Sequence, residues 1–295
     1  MEDRQAMTTS TLGGGTPRFG LRAGRESAAD GRGGRRSIAG LHPRPWPARL
    51  RRALRGGMFE LHYQPIVALA TGRVSHHEAL VRLADEPGEP LVAPAAFLPA
   101  AERCGLVRGL DRFVVGRVAA MLGGASATSG GEGAPGRLPA RVAVNLSAVS
   151  VTDGGMLDHI AGELARHAVD PRRLVLEITE TAAIVSVERA RAFCAGAQEL
   201  GCAIALDDFG VGFGSFYYAK RLPFSYLKID GDFVRGLPDS PEDRIVVRAI
   251  ADVARGMGGR TIAECVGGDA ALAVLGELGV DYAQGFHLGR PAPLG

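Results

Sequence analysis

The sequence predicts an α/β protein built as a (β/α)8 barrel of the TIM type, with a disordered N-terminal tail. Three observations predict it. Apolar, β-rich runs alternate with helical patterns from Phe59 onward. Eight such runs fall within about 245 residues, the size and order of that barrel. Seven of the runs close on a carboxylate, a carboxamide or a lysine: Glu78 in EALVR, Asn145 in VAVNLS, Glu177 in LVLEITE, Asp207 and Asp208 in IALDDFG, Lys228 in YLKID, Glu264 in TIAEC and Gln284 in YAQGF. Strands that each finish on a polar group put chemistry on one rim of a barrel. A doubly wound open sheet would gather such groups at one switch point instead.

Taken in order, residues 1 to 46 are rich in Gly, Arg, Ser and Pro and end in His42-Pro-Arg-Pro-Trp-Pro47. Such a segment buries too little apolar surface to fold alone. The folded domain is expected over 47–295, opening with a short helix at Ala48–Arg55 and with Trp46 at its edge. Strands are expected at 59–68, 74–83, 141–147, 174–179, 203–208, 226–230, 261–265 and 281–286. Helical patterns lie near 94–122, 155–168, 187–200, 241–258 and 269–278. Gly123–Gly136 reads as a loop inside the domain, because alternation resumes after it without a new start.

The net charge of +2 hides an asymmetry. Residues 1–55 hold 12 Arg against 4 acidic residues, while the remainder holds 22 basic and 28 acidic ones. A basic tail on an acidic body suits nucleic acid or anionic lipid. Without interleaved aromatics or a helical period, a solvated leader is the reading preferred here. Cys104, Cys194, Cys202 and Cys265 show neither CxxC pairs nor metal-finger spacing, as expected of reduced thiols. No apolar run reaches the roughly 18 residues of a membrane span, and the Arg-rich start lacks a signal peptide's apolar core. The expectation is a soluble, cytoplasmic chain, so the formal sequon at Asn145-Leu-Ser carries no glycan.

Five carboxylates on one rim repel unless cations are bound among them. Carboxylates and an amide oxygen are hard ligands that suit Mg²⁺ or Mn²⁺ rather than zinc. Adjacent Asp207 and Asp208 allow one carboxylate to bridge two ions, the usual clamp for in-line attack at a phosphodiester. Lysine is rare, two residues against 32 Arg, yet Lys228 closes a strand. A compact ammonium can sit beside an attacking water where a guanidinium fork cannot. The residues alone describe a two-metal phosphoryl hydrolase.

Tyr63-Gln-Pro-Ile-Val, Glu78-Ala-Leu-Val-Arg, Val144-Asn-Leu-Ser, Leu176-Glu-Ile-Thr-Glu, Asp207-Asp-Phe-Gly, Lys228-Ile-Asp, Ala263-Glu and Gln284-Gly-Phe give the chain, over residues 48 to 295, its resemblance to the EAL domain family. The resemblance implies a bacterial signalling barrel that hydrolyses cyclic di-GMP to linear pGpG with two Mg²⁺ or Mn²⁺ ions. It implies that Glu78, Asn145, Glu177 and Asp207 hold the first metal. Asp207, Asp208 and Glu264 would serve the second metal and the attacking water, with Glu264 as general base. Lys228 would orient that water and Gln284 would support the site. Gln64 would line the nucleotide pocket, Arg82 would meet a phosphate, and Glu180 would anchor the loop after Asp208, which shapes a homodimer contact.

Two departures stand out. Val211 replaces a hydroxyl-bearing residue in DFGTGYSS, and Gly267 removes the last carboxylate of AEGVE, a group that helps orient the lysine. Asp269 is the nearby candidate to replace it. Losses beside a metal site cost roughly ten- to a hundredfold, so slowed turnover is expected. The alternative is a weakened domain that acts as a cyclic di-GMP receptor, and a third reading is a scaffold that recruits a partner.

Plainer readings compete with each signal. One acidic strand end is usually a cap or an ion-pair partner; seven polar ends together are not. Asp208-Phe-Gly lacks the kinase HRD loop, and the glycines after it open no phosphate-binding helix. His76 and His77 face opposite sides of a strand, so both cannot join Glu78. Phe213, Phe216, Tyr217 and Tyr218 suit packing or a dimer contact better than base stacking.

Overall fold

Strand side chains alternate with period two, so each strand of a closed barrel sends every second residue inward. The computed structural model describes residues 45–84, 90–124, 139–179, 185–212 and 214–294. Within them helix α1 (Trp46–Gly56) precedes strands β1 (Phe59–Ala68) and β2 (Arg73–Leu83), then α2 (Pro94–Arg103) and α3 (Val107–Gly124). Strand β3 (Val142–Leu146) leads to α4 (Ala148–Val151) and α5 (Met156–Arg166), and β4 (Leu174–Thr179) to α6 (Val187–Leu200). After β5 (Ala203–Phe209) comes α7 (Ser215–Ala219), and after β6 (Tyr226–Ile229) come α8 (Gly231–Arg235) and α9 (Pro241–Gly256). The chain closes with β7 (Arg260–Ala263), α10 (Asp269–Glu277) and β8 (Tyr282–Gln284).

The eight strands form one closed barrel in chain order. From β2 to β8 neighbours run parallel, but β1 is antiparallel to both β2 and β8. The cause is local. A tight turn, with Gly72 N–H bonded to Ala68 O, joins β1 to β2 and leaves no helix between them, and a hairpin can only be antiparallel. The expected barrel is present with its first strand reversed.

Inside it, a lower layer consists of Ile66, Ala143, Val175, Ala205, Tyr226, Ile262 and Tyr282. His76 completes this layer, with its ring 5.5 Å from that of Tyr226 and 5.8 Å from that of Tyr282. Burial, aided by Arg141 and Lys228, lowers His76 to a pKa of about 4, and its place between the two tyrosine rings, one layer below the carboxylates, makes it a core residue. Its strand neighbour His77 is on the other face, as expected. Outside the barrel, a continuous core links strands to helices, with Trp46, Phe59, Phe97 and Phe113 forming a chain of tilted rings.

Helix ends follow the sequence. Ser186 caps α6 by accepting from Arg189 N–H, and Ser240 caps α9 by accepting from Asp243 N–H, ahead of a proline and two acidic residues. The helical pattern near 94–122 is two helices, α2 and α3, divided by a turn at Cys104–Leu106. The short helices α4, α7 and α8 were not expected, since four or five residues hold no period. Glu78 lies in mid-strand rather than at a strand end, because β2 continues past the rim while paired with β1. The loop at Gly123–Gly136 falls mostly outside the described residues. All four cysteines are free, and burial raises Cys194 and Cys202 to about 12. Among the described residues no helix is long and apolar enough to cross a membrane.

The exits of β7 and β8 are in backbone contact. A Cβ on Gly285 would meet the carbonyl oxygen of Val266 at 2.2 Å and its nitrogen at 2.4 Å. Gly285→Ala is therefore expected to cost about 2 kcal/mol or more and to lower the melting temperature by several degrees. An unchanged thermal midpoint would show that these two exits are not locked together.

Candidate active site

Two residues beyond the lower layer, the same inward face presents a polar layer. On the parallel strands it holds Glu78, Asn145, Glu177, Asp207, Lys228 and Gln284, and Glu264 directly follows β7. On reversed β1 the order inverts, so Gln64 comes two residues before Ile66 and sits opposite Glu78.

Lys228 is 1% exposed and is the centre of this layer. Its Nζ lies 2.7 Å from Glu264 Oε1, 2.8 Å from Glu177 Oε2, 3.0 Å from Asp207 Oδ1 and 3.7 Å from Glu78 Oε2. Around this hub runs a ring of amides. Asn145 Nδ2 donates to Glu78 Oε1 at 2.6 Å, and Gln284 Nε2 donates to Glu78 Oε2 at 2.6 Å and Gln64 Oε1 at 3.1 Å. Gln64 in turn donates to Gly289 O at 3.1 Å. Carboxylate oxygens of Asp207, Asp208 and Glu264 lie within 4.8 Å of one another.

The charges do not balance. Burial opposes the Lys228 charge, but Asp207, Glu177, Glu264 and Glu78 outweigh it and hold the ammonium well above its ordinary range. One cation cannot satisfy five carboxylates. Burial and the Glu78 charge push Glu177 well up. Burial, with Asp207 adding to it, raises Glu264 to about 8 and Asp208 to about 6. Glu78 alone falls below its usual value: burial pushes it up, but Lys228 and the amide donors prevail.

Two oxygens in the layer, Glu177 Oε1 and Gln284 Oε1, are buried with no hydrogen-bond partner among the described residues. Orphaned acceptors, an amide oxygen and crowded carboxylates form a donor set that fits hard divalent cations. The backbone is strained at the same place. Asp208 and Cys265 have left-handed φ values of 55° and 56°, a cost that clusters at functional sites. Asp208 N–H offsets part of it by donating to Asp207 Oδ1 at 3.0 Å.

The structure thus brings together Gln64, Glu78, Asn145, Glu177, Asp207, Asp208, Lys228, Glu264 and Gln284. Arg82 follows Glu78 by four residues, on the same face of β2, and its Nη1 donates to Val81 O. Glu180 and Phe213 lie outside the described residues. Asp269 does not replace the carboxylate missing at Gly267; it is exposed and pairs with His287 at 2.8 Å. Val211 is exposed in the turn after β5, and nearby Phe216 packs edge-on against Phe209. Asp111 on α3 went unnoticed in the sequence. It is buried, and accepts from Ser147 N–H and Oγ, fixing the turn after Asn145. An acidic residue on an apolar helix face was the available signal.

The EAL domain family model matches residues 48–291. The bifunctional diguanylate cyclase/cyclic di-GMP phosphodiesterase MucR of Pseudomonas aeruginosa is 35% identical over 244 residues, 83% of this chain and 34% of MucR. The cyclic di-GMP phosphodiesterase PdeB of Shewanella oneidensis is 36% identical over 250 residues, 84% of this chain and 28% of PdeB. The chain spans about a third of the length of these relatives. Among solved structures, the MucR phosphodiesterase in complex with c-di-GMP matches with a TM-score of 0.74 at 34% identity, covering 84% of this chain and 97% of that one. The Xanthomonas citri FimX EAL domain in complex with c-di-GMP matches with a TM-score of 0.76 at 30% identity, covering 84% and 94%.

Cation binding should be linked to pH. Below about pH 8 the metal-free site keeps a proton on Glu264, and below about pH 6 another on Asp208. A divalent cation must displace these protons, together with any held by Glu177, so affinity should rise as the pH is raised from about 6 through about 8. Calorimetry at pH 7 in buffers of different ionisation enthalpy should show release of roughly one proton or more per site filled. Binding without proton release would contradict this electrostatic picture.

Proposed function

The chain belongs to the EAL domain family, and on that premise we propose that it is a phosphodiesterase that hydrolyses cyclic di-GMP to linear pGpG. One observation carries the proposal: five carboxylates, Asn145 and a buried Lys228 share one layer that still holds unpartnered acceptors. A solvated face or a set of ion pairs would leave no such deficit of positive charge.

In this proposal Glu78, Asn145, Glu177 and Asp207 would hold one Mg²⁺ or Mn²⁺, and Asp207, Asp208 and Glu264 would serve the second and the attacking water. When bound, the ions supply a lowered water pKa and charge neutralisation at the phosphoryl group. The remaining work falls to the chain's own groups. Glu264 accepts the water's proton, and Lys228, 2.7 Å from its Oε1, favours the ionised base and fixes its direction. Gln284 holds Glu78 and Gln64 in register. Gln64 lines the nucleotide pocket and Arg82 receives a phosphate. Lys228 and Glu177 are each 1% exposed, and at that depth charge interactions are strengthened.

The same proposal takes residues 47–295 as the functional domain and the cytoplasm as its location, which four free thiols suit. Dimerisation is assigned to the loop after Asp208, with half-exposed Phe216 and Tyr217. Val211, 57% exposed and without a hydroxyl, favours a second reading, a receptor that binds cyclic di-GMP without cutting it.

Incubation with cyclic di-GMP and Mg²⁺ or Mn²⁺ should yield pGpG on chromatography, and Glu264→Gln should reduce the rate by about a hundredfold or more. Bound but uncut nucleotide would replace the enzyme with the receptor. Gly267→Glu has open space around its Cβ, yet three carboxylate oxygens already lie within 3.0 Å of Lys228. It should change turnover by less than about threefold; a rise of about tenfold would show that Lys228 is still poorly held. Ca²⁺, larger and more loosely coordinated, should bind and inhibit. Full turnover in Ca²⁺ would argue against the two-metal geometry.

A further inference from the structure

Cys265 directly follows Glu264 in a left-handed conformation that side chains other than Gly, Asn and Asp avoid. Room for it comes from another strand exit. Gly231 opens α8 just after β6, and a Cβ placed there would lie 2.6 Å from Cys265 Sγ and 2.7 Å from its Cβ. Arg235, one turn along α8, closes the notch: Nη2 donates to Cys265 Sγ at 3.2 Å and Nη1 to Asp232 Oδ1 at 2.6 Å. The backbone on either side of Cys265 is strung between neighbouring strands, Glu264 N–H to Ile229 O at 3.1 Å and Val266 N–H to Gln284 O at 3.0 Å. Beyond it, Gly267 and Gly268 bring no side chain, and a Cβ on either would touch nothing within 4 Å.

We propose that Gly231, Cys265 and Arg235 form a latch that keys the exit of β7 to the start of α8 and so positions Glu264 against Lys228 and Asp207. Cys265 is a positioning residue, and the empty Cβ site at 231 is the condition for its fit. The inference rests on the metal and base roles given to Glu264 above, but the latch is tested without turnover.

Thermal unfolding and Mn²⁺ titration are measured on the full chain and on Gly231→Ala, Cys265→Gly, Cys265→Ser and the double variant Gly231→Ala/Cys265→Gly. Gly231→Ala should lower the melting temperature by several degrees, and removing the cysteine side chain in the double variant should restore it. Cys265→Gly alone should keep the melting temperature, because strain is relieved, yet weaken Mn²⁺ binding by about tenfold. Cys265→Ser, which retains an acceptor for Arg235, should keep both. Strictly additive melting shifts would overturn the pairing, and wild-type Mn²⁺ affinity in Cys265→Gly would overturn the positioning role. A wild-type chain that binds no Mn²⁺ would remove the metal assignment and the positioning role with it; the unfolding cycle would then judge the packing pair on its own.

Discussion

One ammonium buried among carboxylates governs this structure. Placing Lys228 out of water carries a desolvation cost that only close, well-directed anions offset. Glu177, Asp207 and Glu264 supply them from β4, β5 and the end of β7, and Glu78 contributes from the middle of β2 at longer range. The ion pairs therefore tie β2, β4, β5 and the end of β7 to β6 at a single atom. Small shifts of any strand are felt at that atom.

The same arrangement leaves the site unfinished. Lys228 neutralises one charge of five, and the rest appear as raised carboxyl pKa values and orphaned oxygens. A cluster built only for stability would have matched anions with cations or replaced both with packed apolar groups, which is often no less stable. The unbalanced negative charge is gathered in this layer. Two residues deeper lie Ile66, Val175, Ile262 and the paired tyrosines, where a neutral His76 packs without demanding a counter-ion. The lower layer is apolar and packed, and the upper one carries the charge.

Strain sits at the same level. Asp208 and Cys265 both take left-handed backbone next to the carboxylates that would hold metal. Asp tolerates that conformation by bonding locally, and here its N–H bonds to Asp207. Cysteine has no such compensation, so the notch above Gly231 has to supply it. The chain meets the loss of one glycine, where the family writes AEGVE, with the presence of another thirty-four positions earlier.

By itself the sequence determined the strand count, the barrel class and the membership of the polar layer. Each parallel strand writes an inward residue and then a polar one two places on, and that period survives without coordinates. Even the reversal of β1 was written there, since Gln64 precedes Ile66 while every other strand places its polar residue last; a single chain read strand by strand does not invite the comparison. What only the tertiary structure decided was who pairs with whom. Asp269 stood close enough in sequence to replace the carboxylate absent at Gly267, yet it faces His287 instead. Asp111, thirty-six residues from Ser147, proved to hold the turn after Asn145. The reason is physical. Period and polarity are properties of a local backbone, whereas the pKa of Glu264, the centrality of Lys228 and the room for Cys265 depend on distances between strands that meet only when the barrel closes.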